Sequence, residues 1–383
     1  MLVPLVAVFV AAAVLSLVLT PVVRRLARRF DVVDQPGARR VHASPIPRGG
    51  GLAVAAAFIA VAGVALLVVP GQSMVDSATL SGKQIAALLL GGALAAILGT
   101  IDDWFDLRAR WQLAGQLLLA LCAVSLGITV PALANPFGPG VIELGGLFGI
   151  AFTFVWITGM INSINFIDGL DGLSSGVAVI AAVTLAIISL AGPVVQPEIA
   201  MVCLAFAGSL VGFLRWNFHP ATIFVGTSGV MLMGYTLALL SILGTAKVAV
   251  ALLVLGVPII DTFWIIVRRL LVGRSPFSPD RGHIHHRLLD LGLSHTQTVL
   301  LIYVLCAALA VLSLVLSGSG QLYAFLGVLV IFGLVFLLLE RSADTGEEAA
   351  GARAGEAEAR AGEAEARAGE AEAGVTERAE ASR

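Results

Sequence analysis

The chain is poor in charge. Of its 383 residues only 13% are Asp, Glu, Lys or Arg, whereas 58% are hydrophobic, more apolar surface than a soluble core of this length can hide from water. That excludes an ordinary soluble enzyme. The formal net charge of -2 is uninformative by itself, because an acidic tail hides a basic remainder; nucleic acid is not expected as a partner. Cysteine is scarce as well: Cys122, Cys203 and Cys306 all lie inside apolar runs, without the spacing of a disulfide framework or a zinc site, and read as small core residues. The apolar run from Met1 to Val23 lacks a basic segment before it and a convincing cleavage site after it, and its arginines follow it. It is expected to be a first transmembrane helix, not a removed signal peptide.

Long apolar runs are what the sequence has in abundance. A spanning helix needs about 20 predominantly apolar residues, since roughly 30 Å of hydrocarbon is crossed at 1.5 Å per residue with every amide satisfied inside the helix. Runs between charges predict about eleven such helices, at 2–23, 50–70, 84–101, 112–130, 144–161, 173–192, 197–214, 222–243, 247–267, 297–317 and 320–339. The fold class expected is all-α, a polytopic membrane helix bundle. With the N-terminus outside, the inner loops hold Arg24, Arg25, Arg28, Arg29, Arg39, Arg40, Arg48, Arg108, Arg110, Arg215, Arg268, Arg269, Arg274, Arg281 and Arg287, against Lys83 and Lys247 in the outer loops. The excess of basic residues on the cytoplasmic side of membrane proteins then predicts an outside N-terminus and a cytoplasmic C-terminus.

Two regions are expected: a membrane domain over 1–340 and a low-complexity tail over 341–383. The tail repeats a unit close to A-R-A-G-E-A-E, as at Ala352–Glu358. Its apolar positions are only alanine and each unit carries a glycine, too little area to offset the entropy of ordering, so a disordered cytoplasmic extension is expected.

Once this topology is drawn, the polar clusters fall on the inner side. Asp34 to Gly51 reads D-Q-P-G-A-R-R-V-H-A-S-P-I-P-R-G-G-G; prolines and glycines specify irregular backbone, and Arg39, Arg40, His42 and Arg48 can donate to phosphate oxygens. The bland alternative is attraction of basic residues to anionic head groups. Asp102 and Asp103, with Asp106, stand at the inner end of the third helix. Neighbouring carboxylates repel, and at a helix C-terminus they oppose the macrodipole, so a divalent metal or a titrating base is expected to compensate them. N-S-I-N-F-I-D-G-L-D-G-L, Asn162 to Leu173, sets Asp168 and Asp171 each before a glycine, with Asn162 and Asn165 as neutral hydrogen-bonding groups. It lacks the twelve-residue spacing and closing Glu of a calcium loop. Asp261 lies near the inner end of a later helix, followed by R-S-P-F-S-P-D-R-G-H-I-H-H-R-L from Arg274 to Leu288. There His283, His285 and His286, with Arg281 and Arg287, are better placed to bind a pyrophosphate than to hold zinc, since no cysteine accompanies them.

Together these residues resemble the polyprenyl-phosphate N-acetylhexosamine-1-phosphate transferases of glycosyltransferase family 4, related to the phospho-N-acetylmuramoyl-pentapeptide transferases. The resemblance rests on D-x-P-x-x-R-R-x-H at Asp34–His42, the Asp102-Asp103 pair, N-F-I-D-G-L-D-G at Asn165–Gly172 and H-x-H-H-R at His283–Arg287. It implies attack by undecaprenyl phosphate on a UDP-sugar, UDP-N-acetylglucosamine being favoured, with release of UMP at a cytoplasmic site that starts a cell-envelope polysaccharide. By position it implies that Asp102, Asp103 and His285 are catalytic. Arg39, Arg40, His42, Arg48, Asn162, Asn165, Asp168, Asn217, His283, His286, Arg281 and Arg287 would bind substrate. Mg²⁺, or Mn²⁺ in its place, would lie at Asp103 and Asp171. One departure stands out: after Asn217, Pro220, Ala221, Ile223 and Phe224, where the family has G-D-x-G-S, this chain has Gly226-Thr227-Ser228-Gly229-Val230. Thr227 replaces a metal-binding aspartate, and Asp261 is the expected substitute. The partners implied are the two substrates and membrane lipid, with a homodimer allowed.

Two rival readings differ in class. A transporter of a lipid- or nucleotide-linked sugar would put charge near mid-membrane and show internal repeats, and neither is visible. A catalytically impaired homologue is motivated by Thr227.

Overall fold

The computed structural model describes residues 2–35, 45–68, 80–135, 138, 140–191, 195–244, 247–271, 273 and 283–335. Arg39, Arg40, His42, Arg281 and the tail over 341–383 lie outside the described residues.

The apolar runs fold as helices, because lipid leaves each backbone amide no partner outside its own segment. In chain order they are α1 (Leu2–Arg29), α2 (Gly51–Val68), α3 (Gly82–Phe105), α4 (Ala109–Ser125), α5 (Gly146–Ile167), α6 (Leu173–Ala191), α7 (Pro197–Asn217), α8 (Gly226–Leu243), α9 (Lys247–Val254), α10 (Gly256–Leu271), α11 (Ile284–Asp290) and α12 (His295–Val315), with a shorter apolar α13 (Ser319–Val335) after them. Two short antiparallel pairs interrupt them, β1 (Val33–Asp34) with β2 (Ile46–Pro47) and β3 (Ala132–Ala134) with β4 (Val141–Glu143). Residues 1–327 form one compact unit; the second, 328–383, is described only as far as Val335 and is helical there.

Among the described residues, eight helices are long and apolar enough to cross a membrane: α1, α2, α3, α5, α6, α7, α8 and α12. Both glycine-rich segments, 144–161 and 222–243, are therefore helices of spanning length. The predicted continuous helix over 247–267 is instead broken: α9 and α10 meet at 79°, and counting them as one bent span makes nine. Pro258 accounts for the break. It has no N–H for the carbonyl of Val254, and its ring crowds that carbonyl, so the ladder stops at Leu255 and restarts beyond it.

α7 and α8 lie at the centre, with 83% of each apolar window buried, whereas α1 is peripheral at 22%. Close approach rather than apolar area holds α1 to α7, as expected where lipid already satisfies apolar surface. A Cβ on Gly208 would come within 2.2 Å of the Phe9 carbonyl oxygen, and one on Gly212 within 2.0 Å of that of Ala13.

Candidate active site

The ends of α3, α5 and α7, the starts of α8 and α12, the β1–β2 pair and α11 converge on one cavity of about 600 Å³. Its lining includes Asp34, Arg48, Asp103, Asn165, Asp168, Asp171, Asn217, His219, Thr227, His286 and His295. Clusters that the sequence scatters over 260 residues thus share one chamber, because antiparallel helices return alternate ends to one side.

The first motif enters through backbone contacts. Phe224 N–H donates to the Pro47 carbonyl (2.8 Å), and Gly50 and Gly51 N–H donate to the carbonyls of Phe224 (2.9 Å) and Val225 (2.8 Å). A Cβ on Gly51 would stand 2.0 Å from the backbone nitrogen of Gly229, so the glycine triplet is what admits the β2 segment against α8. Arg48 is ion-paired with Asp34, which holds its guanidinium at the cavity wall.

Asp103 caps α8 from a different helix. Thr227 N–H donates to its Oδ1 (2.7 Å) and Ser228 N–H to its Oδ2 (3.1 Å). A carboxylate at the C-terminal end of α3, unfavourable to its own helix dipole, therefore meets the favourable end of another. Asp102 faces elsewhere: its Oδ1 accepts from Leu107 N–H (3.2 Å) and the Gln112 amide (2.9 Å), and it does not line the cavity. Part of the compensation these carboxylates need is thus supplied by N–H donors of the chain itself.

The D-G-L-D-G turn joins α5 to α6. Asp168 Oδ1 accepts the Ser174 hydroxyl (2.5 Å). Burial, with the charges of Asp103 and Asp171 as lesser causes, outweighs that bond and pushes the Asp168 carboxyl up to about 7. Asp171 Oδ2 accepts from Ala221 N–H (3.0 Å) and pairs with His219 Nδ1 (2.8 Å), while Asp171 N–H donates to His295 Nε2 (2.9 Å). The imidazoles of His219 and His295 stack with centroids 4.2 Å apart. Asn217 steadies the loop before α8, donating to the Ile223 carbonyl (3.1 Å) and accepting from Ser175 (3.1 Å).

Other expected site residues sit outside the cavity. Asn162 donates to Gln116 (2.7 Å) and to the Thr158 carbonyl (2.8 Å), tying α5 to α4. His285 is 1% exposed and lies against Gly169, where a Cβ would come within 2.3 Å of its Nε2. Neither of its ring nitrogens has a partner among the described residues. Burial first, then the neighbouring His286, His283 and His295, holds it well below the usual histidine range. Arg287 lies half-buried on α11 beside it, also outside the cavity lining. Asp261 is not beside Thr227: it accepts from His283 Nδ1 (2.8 Å) and Ile284 N–H (2.9 Å). Asp261, expected as the substitute for the missing aspartate, is thus fastened to α11 and is not among the residues that line the cavity with Thr227.

His219 and His295 were missed from sequence. All the described histidines fall in the segments expected on the inner side, and this histidine-poor chain has only six; that placement was the available signal. As for metals, Asp103, Asp168 and Asp171, which line the cavity together with Asn165 and Thr227, form the oxygen-rich set that suits a hard cation such as Mg²⁺. The raised Asp168 carboxyl fits it too, since a cation would relieve the charge repulsion that burial intensifies. Asp171, His219 and His295 also each offer one ligand atom within 4.8 Å of the others, a mixed nitrogen and oxygen set suited to a softer ion.

A model of glycosyl transferase family 4 matches residues 85–245, a span containing Asp103, Asp168, Asp171 and Thr227. Over 340 residues the chain is 36% identical to a probable undecaprenyl-phosphate N-acetylglucosaminyl 1-phosphate transferase of Bacillus subtilis (strain 168), covering 87% of this chain and 90% of that protein. It is 35% identical over 366 residues to a decaprenyl-phosphate N-acetylglucosaminephosphotransferase of Mycolicibacterium smegmatis, covering 88% and 89%. To an undecaprenyl-phosphate alpha-N-acetylglucosaminyl 1-phosphate transferase of Yersinia pestis it is 28% identical over 334 residues, covering 83% and 85%. At this identity over most of both chains, the chain belongs to glycosyl transferase family 4, as one of the polyprenyl-phosphate N-acetylglucosamine-1-phosphate transferases and their relatives.

Proposed function

We propose that this chain transfers N-acetylglucosamine-1-phosphate from UDP-N-acetylglucosamine to undecaprenyl phosphate at the cytoplasmic face of the cell membrane, the first step of a cell-envelope polysaccharide. The observation that carries this is the meeting of Asp103, Asp168, Asp171 and His286 around one cavity. A phosphate oxygen of the lipid attacks the sugar-linked phosphorus. The bond from that phosphorus to the bridging oxygen breaks, UMP leaves with that oxygen, and a lipid-linked pyrophosphate sugar remains.

Two anions must be brought together, so the chain's task is alignment and charge balance. Asp103, Asp168 and Asp171 would hold a magnesium ion, and the neutral Thr227 hydroxyl would be a weaker ligand. When bound, Mg²⁺ supplies charge neutralisation between the reacting phosphates. Asp103, braced by the α8 amides, keeps the position of its carboxylate fixed as substrates arrive. His286 and His219 offer donors to the pyrophosphate, Asn165 a neutral donor, and Arg48 a guanidinium at the wall beside the β1–β2 pair. The basic residues at the same helix ends support a cytoplasmic opening.

Purified protein with Mg²⁺, undecaprenyl phosphate and a panel of UDP-sugars should release one UMP per lipid product, fastest with UDP-N-acetylglucosamine. No UMP from any donor would reject the reading. In a background with Cys122, Cys203 and Cys306 replaced, Arg110→Cys should react with an impermeant thiol reagent only from the cytoplasm and Lys83→Cys only from outside; the reverse would reject the orientation.

A further inference from the structure

Asp261, in α10, is the least exposed carboxylate among the described residues, at 0%, yet it takes no part in the cavity. An ionised carboxylate withdrawn from water this fully has to be compensated by specific donors. Both donors come from one place: His283 Nδ1 at 2.8 Å and Ile284 N–H at 2.9 Å. Ile284 is the first residue of α11, and His283, at the capping position of that helix, makes no side-chain cap of its own. Asp261 therefore caps α11 from another element. With only seven residues, α11 is too short to be stable as an isolated helix. Its placement depends on what it is fastened to. The ring of His283 packs on Phe166 of α5 (centroids 5.3 Å apart) and stacks on His285 (5.6 Å, 12°), and His285 lies against Gly169 of the acidic turn. One turn further along, His286 lines the cavity. The contact between Asp261 Oδ2 and His283 Nδ1 also fixes the orientation of the His283 ring.

We propose that Asp261 is a positioning residue: by capping α11 and orienting His283, it sets where the His286 imidazole stands in the cavity, and it does not hold the metal. The proposal rests on the transferase reading above. It predicts a split between donor binding and metal binding. Asp261→Asn should raise the KM for UDP-N-acetylglucosamine at least tenfold, with a smaller loss in kcat and no change in the Mg²⁺ concentration giving half-maximal rate. His283→Gln, whose amide can still donate to Asp261, should raise that KM less than His283→Ala. Adding Asp261→Asn to His283→Ala should cost little more than either change alone, since both break one bond. A shifted Mg²⁺ half-saturation in Asp261→Asn would make Asp261 a metal ligand. Equal effects of His283→Gln and His283→Ala, or additive effects in the double variant, would overturn the positioning role. Should Asp261→Asn not fold in detergent, the Gln and Ala pair at His283 decides. Calorimetric titration with UDP reads the same ranking without turnover. A wild type that binds UDP but releases no UMP would therefore reject the transferase reading while this ranking still decides the role of Asp261.

Discussion

At the residue scale, Thr227 carries the largest question, because it replaces a carboxylate with a neutral hydroxyl beside Asp103. Its backbone N–H is already committed to Asp103 (2.7 Å), so an aspartate there would bring a second charge to the same helix start, where the dipole favours it. Thr227→Asp is predicted to lower the Mg²⁺ concentration for half-maximal rate several-fold. If neither Thr227→Asp nor Thr227→Val alters the magnesium titration, Thr227 is not at the metal. Asp168 makes a separate prediction through its raised carboxyl, at about 7 in the folded chain against an ordinary 3.8. A group raised on folding contributes stability that is fully present below the ordinary value and lost as pH rises through about 7. Without divalent ions, Asp168→Asn should thus raise the thermal midpoint by a few degrees at pH 8, with an advantage that shrinks as pH falls below about 7 and is gone only below the ordinary 3.8. Magnesium should shrink the difference at pH 8 by favouring the ionised form. An unchanged midpoint at pH 8 would show that Asp168 is not strained by charge. The carboxylates themselves were legible in the sequence, as helix-end aspartates in a chain with few charges. Their partners were not, since the amides of Thr227 and Ser228 that hold Asp103 lie more than 120 residues away.

At the element scale, apolar runs announce helices because lipid allows little else, and the spans at 144–161 and 222–243 were readable despite their glycines. What the runs conceal is direction. Hydropathy is blind to the bend between α9 and α10, though Pro258 marks it, and it is the bend that aims α10 at α11. The flanking of His219 by Asn217 and Pro220 signalled a turn, but only the packing of α12 brings His295 onto it. The α1–α7 contact tests how far small residues hold this bundle together. Gly212→Leu would drive a side chain into the Ala13 carbonyl, where a Cβ has only 2.0 Å, and overpacking of this kind costs about 1–3 kcal/mol. The expected result is a thermal midpoint in detergent lowered by several degrees, with the KM for donor unchanged in the folded fraction. A neutral substitution would mean that α1 is loosely held.

At the scale of the whole molecule, the fold gathers the polar ends of many helices around one acidic chamber and leaves apolar flanks for lipid. That arrangement serves a reaction between a soluble nucleotide sugar and a lipid whose phosphate stays at the membrane surface. Clustering of charge at one side of the bundle was visible from the order of residues; the shape of the chamber was not, because β1, β2 and α11 contribute to its lining. In the proposed reaction phosphorus moves together with the sugar, and a label on that phosphorus follows it directly. UDP-N-acetylglucosamine labelled at the sugar-linked phosphate is incubated with purified protein, Mg²⁺ and undecaprenyl phosphate, and the organic phase is counted. The label should enter the lipid in equal amount with the sugar and with UMP formed, and Asp103→Asn should reduce that transfer at least a hundredfold. Sugar in the lipid with the label left behind in UDP, or full transfer by Asp103→Asn, would contradict it.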